Sequence, residues 1–374
     1  MKRFATVFAN HEASHRFKDA LLEKVDQVKA VCFDKVRHVR VETIPDPQLE
    51  SDSDAIVRVS LAGLCGSDLH PFFGREVGIQ AGTVMGHEFV GEIVAVGGDV
   101  RTLEIGDRVC SPFSTNCGHC KACRQGLTSR CREGQLFGWR ENGRGLHGGQ
   151  AESVRVPMAD GTLVKVPDGI SDEVALLLGD NLSTGFFAAE MANVGPDQTI
   201  AVVGCGTVGL LAIVAAISSG VTNLIAIDPD PARREQATKL GALAFAEQKN
   251  AMDAVLERSD QSGADAVIEL VGLPAAQRTA YDLVRPGGTL SVIGCHCTPN
   301  FSFSPAEAYD KNLTYRTGRC PARAYMDWLP KRLAENPVDL SWVFTHHFLI
   351  DQGKDAYRVF ANRQEGCIKA AIEF

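Results

Sequence analysis

Thr199-Ile-Ala-Val-Val-Gly204-Cys-Gly206-Thr-Val-Gly209-Leu-Leu-Ala-Ile213 decides the fold of this chain. An apolar, β-type run enters a Gly-x-Gly-x-x-Gly turn and leaves as an apolar helix. That context turns a weak glycine motif into a dinucleotide site. Gly204 permits the tight turn, Gly206 lets backbone amides approach a pyrophosphate, and Gly209 lets the helix pack on the strand. The helix then points the positive end of its dipole at the phosphates. The next strand-like run, Asn223-Leu-Ile-Ala-Ile-Asp228, ends in an acid 19 residues beyond Gly209. A carboxylate there hydrogen-bonds the adenosine ribose hydroxyls and repels a 2′-phosphate, so NAD is expected over NADP. Arg233 and Arg234 stand against that preference, because a nearby arginine tolerates the phosphate. Ala264-Asp-Ala-Val-Ile-Glu-Leu-Val-Gly272 and Gly287-Gly-Thr-Leu-Ser-Val-Ile-Gly294 read as the fourth and fifth strands of the same parallel sheet.

Outward from this block the text changes. Before about residue 180, Val-rich strands alternate with Gly and Pro turns, as in Ala55-Ile-Val-Arg-Val-Ser60, Gly91-Glu-Ile-Val-Ala-Val-Gly97 and Asp107-Arg-Val-Cys110. The last fifty residues return to mixed text, with Phe344-Thr-His-His-Phe-Leu-Ile350 as a strand. Residues 1–27 mix charges with little β-type periodicity and are expected to form an N-terminal extension, either a short helix or a disordered arm. A transit peptide fits less well, given the acidic residues there. Val28 is an alternative start of the chain.

The 374 residues suggest about two domains. A formal net charge of −8 disfavours a nucleic-acid partner. No apolar run reaches the roughly 18 residues of a membrane span, so no membrane partner is expected. There are 12 cysteines. Seven of them (Cys32, Cys110, Cys205, Cys295, Cys297, Cys320, Cys367) lie mostly in apolar, strand-like text and read as buried free thiols. That implies a reducing, cytoplasmic location.

Four others crowd into Cys117-Gly-His-Cys120-Lys-Ala-Cys123-Arg-Gln-Gly-Leu-Thr-Ser-Arg-Cys131. Two-residue gaps let neighbouring thiolates converge on one ion, and the Gly126 loop brings in the fourth sulfur. Four thiolates suit a closed, tetrahedral structural zinc. A disulfide framework belongs to short secreted chains and fits poorly. An iron–sulfur cluster has the same ligand count.

Cys65-Gly-Ser67-Asp68-Leu-His70 and Gly86-His87-Glu88 supply further ligand types. Alone, each suits a buried thiol or a satisfied core histidine as well as a metal. With the cysteine cluster and the nucleotide turn, the set resembles the zinc-containing alcohol dehydrogenases of the medium-chain dehydrogenase/reductase family. The resemblance covers about residues 28–374. It is most specific in Gly86-His-Glu-Phe-Val-Gly91-Glu-Ile-Val-Ala-Val-Gly97-Gly-Asp-Val100. It implies an α/β chain in which a Rossmann cofactor domain (181–323) is inserted into a β-rich, GroES-like catalytic domain (28–180 and 324–374). The active site is expected in the cleft between them.

The resemblance also implies residue roles. Cys65 and His87 bind a catalytic zinc, and Asp180, in Gly179-Asp180-Asn-Leu-Ser-Thr184, matches the third ligand. One thiolate plus one carboxylate neutralises Zn²⁺ and leaves a fourth position open; a plain helix N-cap is the other reading of Asp180. Glu88 is the rival ligand, expected mainly outside the coordination sphere. Asp68 matches the residue orienting the ligand histidine, Ser67 the hydroxyl beside the reacting oxygen, and His70 the outer end of a proton relay. Phe113 matches the alcohol pocket, and Thr184 and Val208 match positions holding the nicotinamide; core packing explains these three nearly as well. The implied partners are NAD, two zinc ions per chain and a small alcohol or aldehyde, with the chain assembled as a homodimer or homotetramer.

Asp180 and the segment Phe137–Gln150 look similar to the formaldehyde-dehydrogenase-like branch, and polyol and threonine dehydrogenases share the scaffold. A non-catalytic NAD-binding protein, or a redox sensor built on the four thiolates, is the alternative of another class. Retention of Cys65, His87, Ser67 and His70 argues against it.

Overall fold

The computed structural model describes residues 27–374. The expected N-terminal extension lies outside them, except that Gln27 opens the first strand, Gln27–Lys35. Thr199–Val203 is buried along its whole length. Its side chains alternate between two apolar clusters. Ile200 and Val202 belong to one, and Ala201 and Val203 to the other. A strand covered on both faces has no polar side to show, which is why its text is continuously apolar.

That strand lies inside a six-stranded sheet. Its chain-order neighbours are Asn223–Ile227, Leu243–Phe245, Ala264–Glu269, Val284–Val292 and Thr314–Thr317. Numbered from Thr199–Val203, the spatial order is third, second, first, fourth, fifth, sixth, and every pairing is parallel. The order reverses between the first and fourth strands. In such a sheet the crevice for a dinucleotide opens there, beyond the carboxyl ends.

A second sheet is built around Ala55–Gly63. This strand pairs antiparallel with Phe89–Val96, Ser153–Val156 and Lys369–Glu373. Phe344–Leu349 then adds in parallel to Lys369–Glu373. The end of the chain thus returns to the sheet that its early part began. The seam between the two sheets is apolar and shared: Leu61, Val90, Leu176, Leu182, Phe186, Leu211, Tyr325 and Ile368 form part of one buried cluster. Thr207, at the start of helix Thr207–Ser218, donates its hydroxyl to the Ile368 carbonyl at 2.9 Å.

The segment Phe137–Gln150 has a structural use. After a small hairpin (Trp139–Glu141 with Arg144–Leu146), it folds back along residues 84–86. Gly148, Gly149 and Gln150 donate their amides to Val84, Gly86 and Met85. Gly86 has φ +85°, and a Cβ there would lie 2.4 Å from Gln150 Cγ. The residue preceding His87 therefore has to be glycine. Among the described residues no helix is long and apolar enough to cross a membrane.

Candidate active site

Cys65 follows strand Ala55–Gly63 and opens the short turn Gly66–Asp68. Its amide donates to Asp68 Oδ2 at 2.8 Å. His87 and Glu88 immediately precede strand Phe89–Val96. Asp180 stands at the break between helices Asp172–Gly179 and Asn181–Ala192. It occupies the N-cap position of the second helix, yet its side chain caps nothing. It turns instead to Cys65, whose thiol donates to Asp180 Oδ2 at 3.2 Å.

One ligand atom each from Cys65, His87, Glu88 and Asp180 lies within 4.8 Å of the others. His87 Nδ1 is 3.2 Å from Asp68 Oδ1, and Nε2 is 3.6 Å from Asp180 Oδ2. A proton on Nδ1, shared with Asp68, leaves the Nε2 lone pair facing the cluster, the tautomer a metal requires. The donors are one soft thiol, one imidazole and a carboxylate pair, all little exposed. With its thiol proton displaced by the ion, Cys65 together with Asp180 would offer the two negative charges that offset a divalent ion. The set fits a catalytic zinc.

Glu88 is held from outside. Lys369, fully buried, reaches Oε2 at 2.5 Å, and Asn181 Nδ2 reaches Oε1 at 2.8 Å. The same Asn181 nitrogen lies 2.7 Å from Asp180 Oδ2. With both oxygens engaged, Glu88 is placed to tune the cluster.

Ionisation follows from burial and crowding. Burial, then the charges of Asp180 and Glu88, push the Cys65 thiol up to about 11. Burial lifts the Glu88 carboxyl to about 7, with Lys369 opposing it. Burial disfavours a charged His87, but Asp68 and Asp180 outweigh it and hold the ring well above its ordinary range. Burial likewise works against a charged Asp180, and His87 overrides it, so this carboxyl stays low.

Around the cluster, Ser67 Oγ lies 3.3 Å from His87 Nε2. Phe113 meets the His87 ring edge-on, 6.4 Å between centroids. Thr184 donates to Asp180 Oδ1 at 3.3 Å. His70 is buried, and its Nδ1 faces Cys297 Sγ at 3.4 Å. Burial, then Arg75, holds its ring below the ordinary range.

The nucleotide turn adjoins this site through a short path. Thr207 bonds Ile368, and the next residue, Lys369, pairs with Glu88. Gly204 has φ +93°, and a Cβ on Gly209 would lie 1.9 Å from the Gly204 carbonyl oxygen. Val208 lies in the first turn of the helix, half-buried. Asp228 accepts the amides of Cys205 and Asp230, both at 2.8 Å. Arg233 Nη1 sits 3.9 Å from Asp228 and 3.7 Å from where a Gly206 Cβ would stand. The glycine turn, the helix that starts at Thr207 and the acid at the end of the next strand fit a dinucleotide.

The four-cysteine loop also closes on itself. Its sulfurs lie within 4.8 Å of one another. The amides of Cys117 and Cys120 donate to Cys131 Sγ at 3.2 Å and Cys117 Sγ at 3.3 Å. Backbone amides pull the Cys120 thiol well below its usual range. Four sulfurs with amide donors fit a structural zinc.

Sequence reading missed Lys369 and Asn181. Lys369 had a signal: it is a lone charge inside the apolar run Cys367-Ile-Lys-Ala-Ala-Ile372, where an unpaired cation does not stay buried. Cys295 and Cys297 need correction. They were expected to be buried thiols, but both are exposed. They follow the end of strand Val284–Val292 in a loop at its carboxyl edge; the other five are buried as expected.

Fold and cluster together define a zinc-binding oxidoreductase with a GroES-like part. Comparison with known proteins agrees. The family description Alcohol dehydrogenase GroES-like domain matches residues 51–168, and Zinc-binding dehydrogenase matches residues 207–331. The zinc-type alcohol dehydrogenase B of Aspergillus flavus is 40% identical over 346 residues, spanning 90% of this chain and 79% of that protein. The medium chain reductase/dehydrogenase ucsI of Acremonium sp is 44% identical over 292 residues, 76% of this chain and 98% of that one. The solved alcohol dehydrogenase TADH from Thermus sp. ATN1 superposes with a TM-score of 0.86 at 36% identity, covering 92% of this chain and 99% of that one. The chain belongs to the zinc-type alcohol dehydrogenases of the medium-chain dehydrogenase/reductase family.

Proposed function

We propose that this chain is an NAD-dependent alcohol dehydrogenase, moving hydride between an alcohol, or an aldehyde in reverse, and NAD. The observation that carries the reading is the convergence of Cys65, His87 and Asp180 from three distant segments on one buried point beside the nucleotide turn. In this reading those three hold the catalytic zinc, Glu88 stays outside it, and Cys117, Cys120, Cys123 and Cys131 hold the structural one. Zinc supplies a Lewis acid that makes an alcohol hydroxyl acidic, and NAD supplies the hydride acceptor.

The chain's own part is positioning and proton handling. Asp68 fixes the His87 tautomer. On this reading the Ser67 hydroxyl, beside His87 Nε2, would accept the alcohol proton while releasing its own, and His70 would hold that proton at the outer, solvent end of the relay. Phe113 gives the site an apolar wall that limits water. Gly204, Gly206 and Gly209 would hold the pyrophosphate, and Thr184 and Val208 would lie on the nicotinamide side. Asp228 supports NAD over NADP, with Arg233 the group that would accommodate a 2′-phosphate. The reading extends to a cytoplasmic homodimer or homotetramer, on the pattern of the family.

The test is NADH formation against a panel of alcohols, polyols, threonine and formaldehyde, with NAD and NADP in parallel and zinc assayed on the same sample. Turnover with NAD at two zincs per chain is expected. No turnover with any of them at full zinc loading would overturn the reading.

A further inference from the structure

A second group of soft ligands lies across the cleft. A ring nitrogen of His70, Cys295 Sγ and Cys297 Sγ all lie within 4.8 Å of one another, with Nδ1 3.4 Å from Cys297 Sγ. His70 belongs to helical turn Leu69–Phe72, just after the strand that delivers Cys65. The two cysteines belong to the loop beyond the fifth strand of the nucleotide sheet. The intervening His296 turns the other way, its Nε2 2.9 Å from Glu269 Oε2. Alternate residues of this extended stretch therefore face opposite sides, and both thiols face His70.

Both ends are braced. A Cβ on Gly294 would meet the Gly272 amide nitrogen at 2.4 Å, which fixes the loop where it leaves the sheet. On the other side the His70 carbonyl accepts the amides of Arg75 and Glu76 at 2.8 and 3.3 Å. The Glu76 carboxylate acts on both thiols, and Arg75 opposes it at Cys297. Two sulfurs and one imidazole nitrogen form a donor set for a thiophilic divalent cation, with solvent for the fourth position. Both cysteines are exposed, so an ion there exchanges with the medium.

We propose that His70, Cys295 and Cys297 form a third, exchangeable zinc-class site that latches the two halves of the cleft and suppresses turnover when filled. Binding needs only the three donors. Suppression rests on the dehydrogenase reading, because the ion takes the His70 lone pair and ties down the cleft through which cofactor enters and leaves.

The test compares the zinc-loaded protein with Cys295→Ser/Cys297→Ser. Both carry the same resident zinc and turn over equally before metal is added. On titration with zinc, the parent is expected to take up one further equivalent that the variant does not, and its rate is expected to fall while the variant's holds. Cys297→Ser alone should weaken that uptake by more than about 100-fold, beyond the 10–100-fold cost of losing an outer partner. Cobalt added to the parent should give a thiolate charge-transfer band that the variants lack. Equal uptake by parent and variants, or a Cys295–Cys297 disulfide in the intact mass, would overturn the site. Uptake with an unchanged rate would overturn the latch. Absence of turnover from every sample, with the uptake difference intact, would count against the dehydrogenase reading alone.

Discussion

The two ligand clusters of this chain are built in opposite ways. The four-cysteine cluster is local. All of its sulfurs lie between residues 117 and 131, and its amide donors come from the same loop. The Cys65 cluster draws on residues near positions 65, 87 and 180, and its supports come from as far away as Lys369. Its donors are mixed, and buried carboxylates, a buried lysine and an amide surround it. A closed set of like donors can only hold an ion. A mixed set with outside supports can tune one and leave room beside it. On the proposed reading, this difference gives the four-cysteine cluster the task of anchoring the fold and the Cys65 cluster the chemistry.

The sharpest way to break that division is His87→Ala. On the proposed reading it removes a ligand from the mixed cluster and touches nothing in the local one. Turnover should fall by more than about 100-fold, beyond the range for an outer partner, while NAD binding, followed by cofactor fluorescence, is retained. Near-normal turnover would dissolve the distinction.

Next comes Lys369→Ala. It strands Glu88 in a site both residues fill without solvent. Breaking a buried pair costs about 3–5 kcal/mol, and the lower end is expected because Glu88 can take a proton instead. Denaturant unfolding of the zinc-loaded protein measures it. Lys369→Met with Glu88→Gln should recover part of the loss, since neither half is then left charged and alone. Equal losses for the single and paired changes would show that the ion pair does not brace the cluster.

Asp68→Asn is a smaller change. It keeps the shape but weakens the hold on His87 Nδ1. Zinc affinity at the mixed cluster should drop by roughly 10–100-fold, with the four-cysteine zinc unaffected. Competition against a chelator resolves the two.

The smallest effect is one of pH. His147 Nδ1 accepts the Val84 amide at 3.0 Å, bracing the approach to His87. Burial, then Arg140 and Arg155, push its ring from an ordinary 6.5 down to about 4. Between those values the unfolded chain carries a proton that the folded chain refuses, so stability rises with pH across the window. It is complete above 6.5 and is lost as the pH falls toward 4. The ring has an exposed edge, and screening keeps the effect modest. His147→Gln should flatten this part of the stability profile, leaving the four-cysteine loop unchanged.

The difference between the clusters also explains what could be read in the sequence. Cys117 to Cys131 announce themselves by spacing, because every ligand and turn needed lies within one loop. The nucleotide turn is legible for the same reason: Gly204, Gly206 and Gly209 each answer a local steric demand. Cys65, His87 and Asp180 meet only through the tertiary fold, so their partnership was visible through family resemblance and not through spacing. Asn181 had no signal beyond its place after Asp180. Cys295 and Cys297 were misread because their apolar neighbours suggested burial. The strand ends at Val292, and the thiols lie past it.

The central claim is that one cluster works and the other anchors. The most direct test is to make Cys65→Ser and Cys120→Ser in parallel and measure zinc content, NADH formation and thermal unfolding on each. Each variant is expected to lose zinc from its own cluster. Cys65→Ser should lose turnover and keep most of its stability, whereas Cys120→Ser should lose stability and, well below its melting temperature, keep its rate per folded molecule. Full turnover in Cys65→Ser, or loss of turnover in Cys120→Ser while it remains folded, would contradict the account.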